Sequence, residues 1–544
     1  MTEDHADHAE DAASDPGKPS FKAPHPGSPQ MPQWETGELI DAPKFTWRNW
    51  FTMLGPGLVL GGAAIGGGEW LVGPKVTAVY GGALLWLATL SVLGQVVYNI
   101  EISRYTLYSG EPIFTGKFRI MPGPHFWVLA YLFFDFGSVF PYLAANAAIP
   151  VATLVKGGTV PTPEEDFVLL KVLAYMIFIG ALIPLLFGGK IFNSLKAVMT
   201  FKIVVIFSFL LFLAVFFSGP ATWIEILTGF FKFGNVPIKV AEGAETIRGA
   251  NVDNLFLALV QGRGWPDIDF SLIAFIAALA AIAGSGGLSN TPVSNYTRDQ
   301  GWGMGHRVGA IPSVVGGHDI QLSHVGCVFE PNAKSLPRWR RWYKHVLRDQ
   351  LAVWMPACFI GLALPAMLSV QFLPYGTQSN DWTMAVMTAG GVQKSVTAAS
   401  GVTLGNFCWF MTIFCGFLVL APSMSTSADG IIRRWVDVLW TSSGRLRNLD
   451  PKFIKTMYFR VLCGYALFGL IMLSLNPGQL IQYATMFFNI ALGFSCWHTI
   501  VVNTTLLPRE LRPNWFLRIA LTLAGMFFFT LGVIAVLQKT GFIK

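Results

Sequence analysis

The sequence predicts an all-α protein that crosses a membrane about eleven times. Three observations carry that reading. Of its 544 residues, 53% are hydrophobic and only 13% are charged, whereas a soluble domain carries about 25% charged residues. Apolar runs long enough to cross a bilayer, about 20 residues each, recur between residues 54 and 537. Lysines and arginines gather in alternate loops, the bias that orients a polytopic chain. The net charge of +7 therefore describes loops beside a lipid bilayer and does not imply nucleic acid.

Residues 1–44 are polar, with scattered Pro, Asp and His and no apolar core. They predict a disordered cytoplasmic tail, not a signal peptide. Eleven spans follow, at about 54–80, 82–106, 126–156, 167–187, 191–218, 271–298, 346–372, 402–428, 457–474, 478–506 and 514–537. They divide the chain into a first five-span unit, 45–218, and a second, 271–506. An outer loop, 219–270, joins the two units, and an inner loop, 299–345, interrupts the second. The eleventh span and the carboxyl terminus occupy 507–544. NLFLALV (254–260) in the outer loop reads as a helix lying on the surface. Clusters such as Arg338, Arg340, Arg341 and Lys344, or Arg433, Arg434, Arg445 and Arg447, share a side with Lys44 and Arg48. That bias places the amino terminus in the cytoplasm and the carboxyl terminus outside the cell membrane. The six cysteines contain no CxxC, and five lie in or beside apolar runs, where a thiol packs as a small hydrophobe. The inner loop holds His306, His318, Asp319, His324 and Cys327, but at no zinc-site spacing.

Span one is the unusual element. Its centre, GGAAIGGGEWLVGP (61–74), sets Gly66, Gly67 and Gly68 directly before Glu69. Each glycine costs a helix roughly 1 kcal/mol relative to alanine, and a carboxylate at mid-membrane depth costs about 2.5–3.5 kcal/mol. Irregular backbone survives at that depth only where protein or a water-filled cavity satisfies its polar groups. Two readings stay open for Glu69: a cap on a restarting helix, or a ligand at an ion site.

Span six repeats the pattern. Gly284, Ser285, Gly286 and Gly287 interrupt AFIAALAAIAGSGGLSNTPVSNY (274–296). Ser289, Asn290 and Thr291 then offer N-cap side chains, and Pro292 suits a first helical position. The bland alternative is a small-residue packing face. Spans one and six are each the first of five. Gly- or Pro-interrupted spans at matching places in two halves point to a transporter binding site built on an inverted repeat.

Other intramembrane polar residues have two readings each. Glu101 and Arg104, three apart, suit a helix-face pair. Gln95, Asn99 and Asn146 line a cavity or glue helices, and Gln482, Asn489 and His498 lie in span ten. His498 is a proton carrier or a hydrogen-bonded core histidine. Asp135 has no local partner within span three.

Several stretches resemble the natural resistance-associated macrophage protein (Nramp) transporters, within the group that shares the leucine-transporter-type fold. They are GPG (55–57), GGALLWLATLSVLGQ (81–95), LFFDFGSVF (132–140) and SMSTSADG (423–430). The resemblance implies inverted five-helix repeats with broken first and sixth helices plus one extra helix. It also implies an ion or proton relay through Asp135 and Arg460. The departures lie at the centre. GGGE (66–69) stands in register with the family's DPGN, and Gly287 and Ser289 fall at the methionine and histidine of its MPH.

The expected substrate is a divalent cation, with H⁺ as a candidate coupling ion and no cofactor. Its expected ligands are Gly66, Gly67, Gly68, Glu69, Gly284, Ser285, Gly286, Gly287, Ser289 and Asn290, with Glu69 as the metal carboxylate. All are oxygen donors, which favour Mg²⁺ or Mn²⁺ over softer metals. A small organic solute is the alternative cargo. No channel filter motif and no hydrolase, HExxH or nucleotide-binding pattern occurs in the apolar part.

Overall fold

A computed structural model describes residues 21–46, 54–66, 70, 72–162, 164–187, 190–239, 249–270, 273–313, 320–378, 381–474 and 477–542. Each of the eleven predicted spans coincides with helix. Span one is split into Pro56–Ala64 and Gly73–Tyr80, and span six into Ile273–Ile282 and Pro292–Asp299. Span three is interrupted between Pro124–Phe134 and Tyr142–Val155 by a 3₁₀ turn, Phe136–Val139. Spans two, four and five are Trp86–Ser109, Phe167–Leu182 and Ile191–Phe217. Spans nine, ten and eleven are Ile454–Met472, Pro477–Thr505 and Trp515–Lys539. Among the described residues seven helices are long and apolar enough to cross a membrane alone, and an eighth candidate joins Gly73–Leu84 to Trp86–Ser109 across a 94° bend. The protein is an all-α polytopic membrane protein.

Burial sorts the spans. Spans four, five, nine and eleven turn side chains such as Met176, Val204, Leu467 and Leu523 outward, as helices facing lipid do. Span two, the second half of span six and the carboxyl-terminal half of span eight are buried almost all round. The GPG at 55–57 is pinned from span seven: Asp349 accepts the amides of Gly55 at 3.3 Å and Gly57 at 2.7 Å. Its carboxylate satisfies orphan donors at the start of that helix.

Four features depart from the sequence reading. The expected disordered tail, 1–44, is from residue 21 an ordered strap across one end of the bundle. Trp34 is buried against Tyr105 and Tyr108 and lies 4.8 Å beneath the Arg119 guanidinium. Glu35–Thr36 pairs in parallel with Cys327–Val328, and Arg338 and Arg341 bond Glu38 and Asp41. Bonds from Lys334 and Arg338 hold the Glu38 carboxyl down at about 2. The largely polar composition of the tail hides four well-placed apolar anchors, Ala23, Met31, Trp34 and Leu39.

Span seven, expected at 346–372, continues an amphipathic helix, Ser335–Asp349, through a π turn at Gln350–Trp354 into Met355–Phe372. Span eight, expected to end at 428, runs from Val402 to Ser442. An additional helix, Asp381–Ser400, packs against it. The outer loop carries Pro220–Gly229, an antiparallel ladder of Asn235–Pro237 with Val252–Asn254, and the expected helix as Leu255–Val260.

Candidate functional site

The first half of span one ends at Ala64, and Ile65 leaves helical geometry at φ −76°, ψ 79°. Gly67, Gly68 and Glu69 lie outside the described residues. The chain is described again at Trp70, whose amide donates to Gly66 O at 3.2 Å. Trp70 and Val72 lie in a π turn, and α-helix follows from Gly73 with Pro74 in its first turn. The Ile65 carbonyl accepts from Lys202 Nζ of span five at 2.5 Å.

Span six breaks through glycine geometry. Gly284, Gly286 and Gly287 adopt φ of +106°, +64° and +57°, a region that strains other residues. The amide of Gln95 in span two then knits the break together. Its Oε1 accepts from Ser285 N at 3.0 Å and Asn290 Nδ2 at 2.8 Å, and its Nε2 donates to Ala283 O at 2.7 Å. Ser91 donates to Ala280 O at 2.6 Å, and Arg434 of span eight donates to Leu288 O at 3.3 Å. Pro292 begins the second half as expected, but the predicted cap side chains do other work. Ser289 and Asn290 sit in a 3₁₀ turn, and Thr291 Oγ1 donates back to Leu288 O at 2.7 Å. Gln95 therefore glues helices, and the freed groups Ala283 O and Ser285 N are already bonded inside the protein.

The two breaks meet at a cavity of about 50 Å³, room for a few waters. Gly66 from span one and Gly284, Ser285 and Ser289 from span six line it. Gly286, Gly287 and Asn290 are not part of its wall. Ser138 and Tyr142 of span three and Ser423, Thr426 and Ser427 of span eight add hydroxyls. Among the described residues Ser285 Oγ has no hydrogen-bond partner, so this hydroxyl is available to whatever occupies the cavity.

Met424 and Arg434 also line it, and neither was foreseen as wall. The expected donor set was oxygen alone; Met424 adds a thioether. It follows Ser423 in SMSTSADG, and at helical spacing from Ser427 it faces the same way. That alignment is the signal that could have found it.

The relay residues separate. Asp135 lies at the start of the break in span three, directly after Pro124–Phe134, and is not isolated. Arg434 clasps it through Nε at 2.7 Å and Nη2 at 2.5 Å, and Trp435 Nε1 donates at 2.7 Å. Arg460 is not brought to it; this side chain is exposed, over the Phe453 ring at 5.5 Å. Tyr458, two residues earlier, bonds Asp429 at 2.7 Å instead. Asp429 and Asp299 hold Arg433, and Asp437 holds Arg298, all buried. His498 is buried with Nδ1 2.8 Å from the Tyr131 hydroxyl and its ring 4.1 Å from Trp127. It lines no part of the cavity. Arg104 grips Glu101 at 2.9 Å as the helix-face spacing predicts, and Asn503 bonds the same carboxylate.

The inner-loop candidates bond to backbone. His306 Nδ1 lies 2.7 Å from Gly303 O and His324 Nε2 lies 2.8 Å from Leu449 O. His318 and Asp319 lie outside the described residues.

No model of a known protein family matches the chain. Over 142 residues it is 28% identical to an uncharacterised protein of Pasteurella multocida (strain Pm70), a stretch covering 25% of this chain and 31% of that protein. The match thus spans less than a third of that relative. Among solved structures, the Eremococcus coleocola manganese transporter superposes with a TM-score of 0.57 at 12% identity, over 92% of this chain and 89% of that chain. A nucleobase-cation-symport-1 family transporter gives a TM-score of 0.47 at 12% identity, over 89% of this chain and 90% of that chain. The first likeness shows the fold: the leucine-transporter-type bundle, with broken first and sixth spans.

Proposed function

We propose that the chain is a secondary transporter working by alternating access, and that it carries a hard divalent cation, Mg²⁺ or Mn²⁺, coupled to H⁺. The meeting of two broken spans on one hydroxyl-lined cavity carries this reading. Hydroxyl and carbonyl oxygens suit hard cations, and Mg²⁺ keeps several waters when bound. A cavity with room for a few waters fits a partly hydrated ion. Glu69, three residues beyond Gly66, supplies the carboxylate in this reading. The Met424 thioether lets Mn²⁺ compete, and the fold neighbour's description as a manganese transporter supports the same class. The basic loops support a cell-membrane protein with its amino terminus in the cytoplasm.

A second reading rests on Arg434 and the rings of Phe140 and Phe488 in the wall. A guanidinium and half-helix ends suit the carboxylate of a small organic solute. Proteoliposome uptake of Mg²⁺, Mn²⁺, Cd²⁺ and amino acids, wild type against Glu69→Gln, separates the two. The expected result is saturable Mg²⁺ and Mn²⁺ uptake that the substitution abolishes. Dominant Cd²⁺ uptake, or ion flux unchanged by Glu69→Gln, overturns the cation reading; amino-acid uptake alone supports the second. Large single-channel currents overturn the carrier itself.

A further inference from the structure

Span seven stands on the amphipathic helix Ser335–Asp349, which runs into it through the π turn. One face of this helix is buried: Trp339, Trp342, His345 and Val346 pack inward, with Trp342 and His345 against Trp302. The other face is exposed and basic. Lys334, Arg341, Lys344 and Arg348 succeed one another along it at helical spacing. Leu351 and Ala352, both exposed, carry the same stripe on into span seven. The basic face thus runs directly into a face that meets lipid.

The strap divides these cations into two groups. Lys334 and Arg338 each bond Glu38 at 2.8 Å, and Arg341 bonds Asp41 at 2.6 Å. Among the described residues Lys344 and Arg348 have no acidic partner. Arg348 lies over the Phe45 ring at 5.0 Å. Such stacking uses the face of a guanidinium and leaves its edge donors for an oxyanion. Depth separates the same two groups. At the rise of an α-helix, Arg348 lies about 5 Å below Leu351 and Lys344 about 10 Å. A headgroup layer is about 5–8 Å deep, and basic side chains snorkel several ångström along their stems. Arg341, about 15 Å below Leu351, lies past that layer.

We propose that Lys344 and Arg348 clamp the phosphate of an anionic phospholipid, whose acyl chain follows Leu351, Ala352 and Met355. The strap acids neutralise the cations that the lipid does not reach. On the proposed orientation the lipid belongs to the cytoplasmic leaflet, and the clamp is independent of the cargo. Arg348 directly precedes Asp349, whose carboxylate pins Gly55 and Gly57. A lipid held here braces the residue from which span one starts.

Bilayers reconstituted with the full-length protein test the clamp without transport. In a Cys463→Ser background the other five cysteines are buried, and Ala352→Cys carries a bimane fluorophore beside the site. Brominated phosphatidylglycerol and brominated phosphatidylcholine are compared as quenchers at the same small mole fraction. Phosphatidylglycerol is expected to be the stronger quencher, by a factor that falls about fivefold with each of Lys344→Gln and Arg348→Gln. Added NaCl is expected to lower the factor too, because exposed charges are screened. Asp41→Asn with Arg341→Gln removes a pair of no net charge and is expected to leave it unchanged.

Equal quenching by the two lipids in the labelled background, or a preference that survives both glutamines, overturns the proposal. A loss in the Asp41→Asn/Arg341→Gln protein equal to that from Lys344→Gln would describe a diffuse basic surface and overturns the clamp. Displacement of the lipid by inorganic phosphate, but not by chloride at equal ionic strength, would describe a soluble-anion site and overturns it as well. Absence of Mg²⁺ and Mn²⁺ uptake bears on the transport reading alone and leaves each of these outcomes readable.

Discussion

The two broken spans answer the same backbone problem in opposite ways. In span six, neutral amides and hydroxyls satisfy the break: Gln95 spans Ala283 O, Ser285 N and Asn290, and Ser91 takes Ala280 O. The charged group described there, Arg434, is neutralised by Asp135. In span one, the Ile65 carbonyl is held by the ammonium of Lys202. A glutamine keeps the same hydrogen bonds in every state of protonation. An ammonium does not. On that difference the break in span six is a strut held by neutral groups, whereas the described end of span one leans on a titratable one.

The largest test of that asymmetry is Asp135→Asn. It leaves Arg434 buried without its counter-charge while Arg434 still faces Leu288 O in the break. Removing one partner of a buried pair costs about 3–5 kcal/mol. A fall of that size in unfolding free energy is expected, together with slower transport; unchanged stability would break the assignment of span six as a strut.

Gln95→Leu comes next. It strands Ser285 N and Asn290 Nδ2 and leaves Ala283 O with Ser91 Oγ alone, at 3.1 Å, and each buried group left unsatisfied costs about 1–3 kcal/mol. Loss of hydrogen-exchange protection at 283–290, with span one unaffected, is the expected signature. Loss spread equally over both breaks would contradict a division between them.

Gly284→Ala sharpens the same point. Residue 284 sits at φ +106°, and an added Cβ would lie 2.8 Å from Gln95 Oε1. A strained backbone of this kind costs about 1–3 kcal/mol. Because the clash is with Gln95, the two substitutions are expected to combine non-additively in a thermodynamic cycle. Additive losses would remove the contact from the account.

Ser285→Ala is the smallest. Its Oγ has no partner among the described residues, so the melting temperature is expected to stay put. Loss of one ordinary hydrogen bond, about 0.5–1.5 kcal/mol, raises KM about two- to tenfold. A drop in stability instead would make Ser285 structural.

What the sequence made legible follows from what a local pattern can encode. The glycines at 66–68 and 284–287, and Pro292 after the second set, marked both breaks because helix interruption is a local property. The lipid-facing spans were equally plain as apolar runs. The helix Asp381–Ser400 escaped because its second half, GGVQKSVTAAS (390–400), has no apolar run to announce it. The strap at 21–46 escaped because its anchors are few, and their partners Tyr105, Arg119 and Cys327 are remote in sequence. The same holds at the site. Gln95 meets Ser285 across 190 positions and Lys202 meets Ser423 across 221. Asp135 was visible as a carboxylate without a local partner; the arginine expected in the relay was Arg460, and the arginine that holds Asp135 is Arg434. Nothing in the local sequence separates one arginine from the other; packing of span eight against span three does.

The most direct test of the account is whether its cavity is where the ion sits. Cys463 is the exposed thiol among the six cysteines, the other five being buried, so Cys463→Ser provides a quiet background. In it, Ser427→Cys places a thiol on the part of the cavity wall that span eight supplies. Maleimide labelling of that thiol in membranes is expected to slow saturably with Mg²⁺ and with Mn²⁺, at the concentrations that saturate uptake. A labelling rate indifferent to both ions, in protein that transports them, would contradict the placement of the substrate between the two broken spans.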